Sequence, residues 1–337
     1  MVVRLINKGD LRLARQLVEA NGFHFEENYD VLLGVFESGN LIATAARDRN
    51  IFKMICIRDS WQGGSLLGEL VTELLISGAS SEIENYFVFT RPDRRFSFQQ
   101  LNFNPLVTCQ KVCLLEYGNG FQHYLKRNHH LVREGQNGAV VVNCNPFTFG
   151  HQYLIEEAAA KVDHLYVFIV REDSSLFPFE VRFQLVKEGT RHLKNVSLLD
   201  TSDYAVSHVT FPSYFLKGED NVQQLQMELD LLLFAKQIAP FFHINKRFIG
   251  TEPYCRTTRI YSETMHRVFA LLDIETVQMD RKQSAGIEIS AYRVREALKN
   301  EAFESLKKLV PTTTLDFLRT EEARELLKKA IIYQRRH

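Results

Sequence analysis

Thr148, Gly150 and His151 form the most chemically suggestive cluster in the 337-residue sequence. They belong to Asn143-Cys144-Asn145-Pro146-Phe147-Thr148-Phe149-Gly150-His151, which joins an apolar β-branched run, Gly138 to Cys144, to a helical pattern from Gly150 to Lys161. Where a buried strand turns into a helix, the first backbone N–H groups point outward with a partial positive charge, and a phosphate can dock there. Gly150 lets the anion approach the backbone without a Cβ in the way. His151 adds a ring N–H donor to the same anion.

A second cluster, Ile289-Ser290-Ala291-Tyr292-Arg293-Val294-Arg295, stands near the far end of the chain. Ser290 occupies an N-cap position and Arg295 lies in the following helix, so both can face a phosphate at that helix start. Further cations with the same potential are Arg182, Lys187, Lys217 and Arg281. A solvated helix face accounts equally well for Arg182 and Lys187, whereas Lys217 follows the aromatic run Phe211-Pro212-Ser213-Tyr214-Phe215 in an expected loop. Glu252, in Gly250-Thr251-Glu252-Pro253, follows a strand pattern and is expected at the carboxyl edge of a sheet, near a nucleotide.

The elements that must position these residues follow a rhythm. From Gly138 onward, strand patterns at Gly138 to Cys144, His164 to Val170, Asn195 to Leu199, Lys246 to Gly250 and Ile274 to Met279 alternate with helical patterns. That alternation predicts a doubly wound parallel sheet, with its ligand at the carboxyl ends of the strands. Before it, Asp10 to Ala20 and Leu66 to Ser77 read as helices. Val31 to Phe36, Gly39 to Ala46, Lys53 to Ile57 and Tyr86 to Thr90 read as strands of a smaller α/β domain with an antiparallel sheet. The polar stretch Lys126 to Asn137 reads as a surface linker, giving domains of residues 1–130 and 131–337.

Composition narrows the partners. Lys and Arg total 41, as do Asp and Glu, so no broad basic field is present and nucleic acid is not an expected partner. The five cysteines, Cys56, Cys109, Cys113, Cys144 and Cys255, fall into no zinc spacing, and no protein-bound metal is expected. Met1 to Gly22 carries Arg4, Lys8, Asp10, Arg12 and Arg15 within its apolar pattern and so does not read as a signal peptide. No apolar run reaches the length of a bilayer span. A cytoplasmic protein without a membrane partner is the expectation.

The first cluster resembles the T/H-x-G-H signature of the nucleotidyltransferase superfamily, and the second resembles its I-S-x-S/T-x-x-R signature, with Tyr292 replacing the usual second hydroxyl residue. Phe177-Pro178-Phe179 with Arg182, Thr210 to Lys217, and Gly250 to Pro253 extend the likeness through most of the second domain to the citrate lyase ligase family. The resemblance implies ATP and Mg2+ as cofactors, and catalytic roles for Thr148, His151, Lys217 and Arg295. It also implies nucleotide contacts at Asn145, Pro146, Phe147, Gly150, Glu252 and Ser290. The implied reaction joins acetate to the thiol of a phosphoribosyl-dephospho-CoA group on the acyl-carrier subunit of citrate lyase, through acetyl adenylate, releasing AMP and pyrophosphate. The first domain resembles the acetyltransferase fold, with Gln62-Gly63-Gly64-Ser65 where such proteins carry a pyrophosphate loop; Ser65 and Leu67 depart from that loop's small residues.

Three other readings compete. A nucleotidyltransferase that joins AMP or CMP to a phosphorylated small molecule shares the phosphate site but releases no AMP. An acetyltransferase with a regulatory second domain conflicts with the loop at Gln62 to Leu67. An inert partner-binding protein leaves two phosphate-site signatures, in order, without a purpose.

Overall fold

The computed structural model describes residues 1–79, 83–171, 175–207, 209–210, 222–251, 256–284, 287–300 and 302–334. Contacts divide the chain into two units, Met1–Lys126 with Val209–Leu233, and Arg127–His208 with Phe234–His337. The segment Val209–Leu233 thus groups with the first unit, although it lies far along the second expected domain. Its helix, Val222–Leu233, packs against a first-unit strand.

The first unit is built on seven strands, β1 (Val2–Arg4), β2 (Val31–Glu37), β3 (Asn40–Asp48), β4 (Ile51–Ile57), β5 (Tyr86–Thr90), β6 (Phe103–Thr108) and β7 (Cys113–Tyr117), in the order β1-β2-β3-β4-β5-β7-β6. The β2–β3 turn is Ser38-Gly39, with both residues at positive φ (49° and 79°), the geometry that matches the twist of a hairpin. The sheet is not wholly antiparallel as expected: β4 and β5 run parallel, because the helix Leu66–Gly78 forms a crossover between them. They pair only at Ile51–Phe87 and Phe52–Val88 before parting. Helices Lys8–Ala20 and Leu66–Gly78 pack against β3. Buried Lys53 is neutralised by Glu26 at 2.7 Å and Asp48 at 3.0 Å.

The second unit carries five parallel strands, β8 (Asn137–Val142), β9 (His164–Ile169), β10 (Val196–Asp200), β11 (Ile244–Gly250) and β12 (Glu275–Met279), ordered β10-β9-β8-β11-β12. This is the doubly wound sheet that the alternation predicts. Helices Phe149–Ala159 and Phe179–Thr190 follow β8 and β9, and Arg256–Phe269 follows β11. Winding reverses between β8 and β11, which opens a crevice beyond their carboxyl ends. Register keeps those ends level: Val142 pairs with Ile169, Ile169 with Asp200, and Gly250 with Met279.

The expected linker is more ordered than its polarity implies. Lys126 to Asn128 close the helix Gly120–Asn128, and Asn137 opens β8 fully buried, donating through Nδ2 to the Arg133 and Phe242 carbonyls. Among the described residues, no helix is long and apolar enough to cross a membrane.

Candidate functional site

The loop leaving β8 places the first cluster at the switch-point crevice. Thr148, 1% exposed, is the N-cap of the helix Phe149–Ala159. Its hydroxyl accepts from the His151 backbone N–H at 3.3 Å, and its own backbone N–H donates to His151 Nδ1 at 3.2 Å. This reciprocal cap normally uses Glu or Gln at the third helical position; here an imidazole does the same work. Because Nδ1 accepts a hydrogen bond, the neutral ring carries its proton on Nε2, on the side away from the cap. Phe147, fully buried, stacks on the ring with centroids 6.1 Å apart. Burial first, then Arg281 and Arg295, push the His151 pKa down to about 4. The result is a neutral, oriented N–H donor in a cationic setting.

The second cluster meets the first directly. Ser290 caps the helix Ala291–Lys299 by accepting from the Arg293 backbone N–H at 3.3 Å. Arg295 Nη1 donates to the Asn145 carbonyl at 2.6 Å, so a guanidinium from one motif is anchored on the backbone of the other. A Cβ on Gly150 would stand 2.9 Å from the Ile289 carbonyl oxygen. The glycine is therefore required by the approach of the second motif's own backbone, in addition to any ligand. Arg281, just past β12, donates from Nε to the Thr251 carbonyl at 2.6 Å, tying the ends of β11 and β12 together.

Tyr292 is 63% exposed and supplies no substitute for the missing hydroxyl. Asn145 uses its side-chain oxygen to accept from the Phe177 N–H at 3.1 Å, and Pro146 is buried beneath the loop. Lys187 is exposed on its helix. Arg182 is neither solvated nor a surface cation: it is fully buried and donates to main-chain carbonyls. Lys217 and Glu252 lie outside the described residues. Cys144, at φ 52° within the loop, is no nucleophile, since burial pushes its thiol pKa well up against a smaller opposing effect of Arg182.

The first unit holds a separate cavity of about 1060 Å³ where β4 and β5 part, lined by Phe52, Ile55, Val88, Phe98 and Leu101, with Arg91 and Arg94 at its rim. The Gln62 to Ser65 segment borders it, and Ser65 Oγ donates to Glu69 Oε1 at 2.6 Å. A carboxylate thus sits beside the loop that the acetyltransferase resemblance assigned to a pyrophosphate.

Comparison with known proteins agrees with this geometry. Residues 137–318 match the family model described as citrate lyase ligase C-terminal domain. The citrate (pro-3S)-lyase ligase of Escherichia coli (strain K12) is 33% identical over 327 residues, covering 94% of this chain and 92% of that one. Its counterpart in Klebsiella pneumoniae is 35% identical over 285 residues, covering 82% of this chain and 83% of that one. A phosphopantetheine adenylyltransferase of Streptococcus gordonii is 36% identical over 100 residues, 28% of this chain and 61% of that one. With two full-length relatives above 30% identity and a family model spanning the whole strand-end crevice, the chain belongs to the citrate lyase ligase family.

Proposed function

We propose that the chain is an AMP-forming ligase that uses ATP to join acetate to the thiol of the prosthetic group on the acyl-carrier subunit of citrate lyase. The observation that carries the reading is the meeting of the two motifs at one crevice, where Arg295 anchors on the Asn145 carbonyl and Arg281, 4.0 Å from the Glu288 carboxylate, lies near enough to His151 to lower its pKa. Such a set suits a polyphosphate. An acetate oxygen attacks the α-phosphorus of ATP, the bond to the β-phosphate bridging oxygen breaks, and pyrophosphate leaves with the electron pair. The carrier thiol then attacks the acetyl carbon of the adenylate, its proton passes to solvent, and AMP departs from a thioester.

The chain's part is positioning and charge neutralisation. His151 donates its Nε2 proton to a phosphate oxygen as charge grows on the leaving group, and Thr148 holds it in that tautomer. Arg281 and Arg295 neutralise the phosphates, with Lys217 and Glu252 as further contacts; Asn145, Pro146 and Phe147 shape the loop. Among the described residues no group of three or more His, Cys, Asp or Glu is placed to hold a metal. The donor set fits phosphates; His151, Arg281 and Arg295 would hold the phosphates of a Mg2+-bound ATP, and the ion would supply further charge neutralisation. We place the reaction in the cytoplasm, where ATP and reduced thiols coexist; Cys56, Cys109, Cys113 and Cys144 are free.

The test is ATP–pyrophosphate isotope exchange with Mg2+ and acetate, followed by AMP assay after adding deacetylated citrate lyase. Exchange that needs acetate and AMP that needs the lyase are expected. The adenylyltransferase relative keeps one other reading in view, nucleotidyl transfer to a phosphorylated small molecule. That reading wins if pyrophosphate release needs no acetate but needs an added phosphorylated acceptor such as phosphopantetheine, and no AMP is freed.

The first unit's cavity suits the acceptor's long arm. Its apolar lining of Phe52, Ile55, Val88, Phe98 and Leu101 would take the arm's carbon chain, and Arg91 and Arg94 at the rim would face its diphosphate. The Ser65–Glu69 contact disfavours a diphosphate at the loop. Both arginines are about half exposed, so the double variant Arg91→Glu/Arg94→Glu should fold normally. It is expected to raise KM for the carrier about 10-fold and to leave acetate-dependent exchange unchanged. A carrier KM equal to that of the unmodified protein would remove the cavity from the reaction.

A further inference from the structure

Arg182 is a guanidinium with no solvent exposure, one of the largest fully buried side chains of the protein. It lies on the first turn of the helix Phe179–Thr190, and a buried cation is retained only where its donors are met. Its acceptors come from three separate places. Nε donates to the Phe177 carbonyl at 3.0 Å. Nη1 lies 2.7 Å from the Val170 carbonyl and 2.8 Å from both the main-chain and side-chain oxygens of Asn143. These carbonyls sit just beyond the carboxyl ends of β8 and β9 and before the helix that carries Arg182 itself.

The bonds run on into the phosphate site. Phe177, whose carbonyl Arg182 holds, donates its N–H to Asn145 Oδ1 at 3.1 Å. Asn145 in turn accepts the Arg295 guanidinium on its carbonyl. One residue after Asn143, Cys144 takes the left-handed φ of 52° that turns the chain toward Thr148. Both ends of that turn, Asn143 and Asn145, are therefore fixed by Arg182, the first directly and the second through Phe177.

We propose that Arg182 is a positioning residue for the nucleotide: it never touches ATP, but it sets the Asn143-to-His151 loop so that His151 and Arg295 converge on the phosphates. The proposal rests on the adenylating reading of the crevice. Lysine cannot replace it, because a single ammonium lacks the planar fork that reaches oxygens on three segments. The loop's acceptors would then be left without donors and the loop would settle elsewhere.

The experiment measures ATP affinity by calorimetry, without acetate, for Arg182→Ala and Arg182→Lys, beside melting temperature and acetate-dependent exchange. Both variants are expected to bind ATP at least about 10-fold more weakly than the unmodified protein. Guanidinium ion at millimolar concentration is expected to restore affinity to Arg182→Ala, by occupying the vacated space, and not to Arg182→Lys. ATP affinity within 2-fold of the unmodified protein in either variant overturns the proposal. So does rescue of melting temperature without rescue of affinity, or failure of both variants to fold, since each assigns Arg182 to stability alone. If the unmodified protein binds ATP but shows no acetate-dependent exchange, the adenylating reading fails while the role of Arg182 in binding is still decided.

Discussion

Replacing His151 with alanine is expected to lower acetate-dependent ATP–pyrophosphate exchange by about 10²- to 10³-fold, the usual cost of removing one preorganised donor at developing charge. His151→Gln separates the residue's two jobs. Glutamine at the third helical position keeps the reciprocal cap on Thr148 but has no ring Nε2–H on the far side. Its exchange should stay nearly as low as that of the alanine variant, while its melting temperature stays close to that of the unmodified protein. The alanine variant keeps the Thr148 hydroxyl cap on its backbone N–H but loses the return bond from the Thr148 N–H, so its melting temperature should fall below that of the glutamine variant. Full exchange in His151→Gln would dismiss the imidazole donor.

The titration of His151 extends this test. Its ordinary pKa of 6.5 falls to about 4 in the folded protein, chiefly through burial. The unfolded chain therefore takes up the proton first as pH falls. The stability tied to the neutral ring is complete above pH 6.5 and is lost progressively as pH falls toward 4. Denaturation at pH 7 and 4.5 should thus show a larger loss for the unmodified protein than for His151→Gln. Bound ATP brings negative charge against Arg281 and Arg295, so the histidine pKa followed by NMR should rise on nucleotide binding.

The parts of the fold legible from sequence were those with a long period or strong punctuation. Alternation in the second unit revealed the parallel sheet, and local pattern placed Ser290 at a helix start with Arg295 inside the helix that follows. What escaped were interactions set by distant backbone. Arg182 reads as one polar position on a helix, and nothing local reveals that the Asn143 carbonyl, 39 residues earlier, completes its shell. Strand β6 was hidden by Pro105, which a strand tolerates here because β6 forms the sheet edge. Lys126 to Asn137 looked like a linker because a short helix with a wet face shows little hydrophobic period. The reciprocal cap between Thr148 and His151 also escaped, because an imidazole at the third helical position is not the Glu or Gln that marks such a cap in sequence.

Gly150→Ala should separate catalytic geometry from stability more sharply than any other single substitution at the site. Two effects oppose each other. Alanine favours a helix over glycine by about 1 kcal/mol, which would strengthen the first turn of Phe149–Ala159. Its Cβ would stand 2.9 Å from the Ile289 carbonyl, a backbone atom that cannot swing aside like a flexible side chain, and 3.4 Å from Thr148 Oγ1. Ile289 is also held from behind, since its N–H donates to the Lys282 carbonyl at 3.1 Å and its side chain is buried. Relief must then come from parting the two motifs, which draws Ser290 and Arg295 away from the loop that Arg295 anchors at Asn145. A shift of about 1 Å costs about 10²-fold in rate, so exchange should fall by that order while melting temperature changes little, the helix gain offsetting the strain. Gly68→Ala is the control, because its Cβ would meet only Leu101 Cδ2 at an ordinary 3.6 Å in the first unit; it should stabilise slightly and leave exchange intact. If Gly150→Ala retained exchange within a few-fold of the unmodified protein, the contact between the motifs would be incidental, and the glycine would be explained by local turn geometry alone.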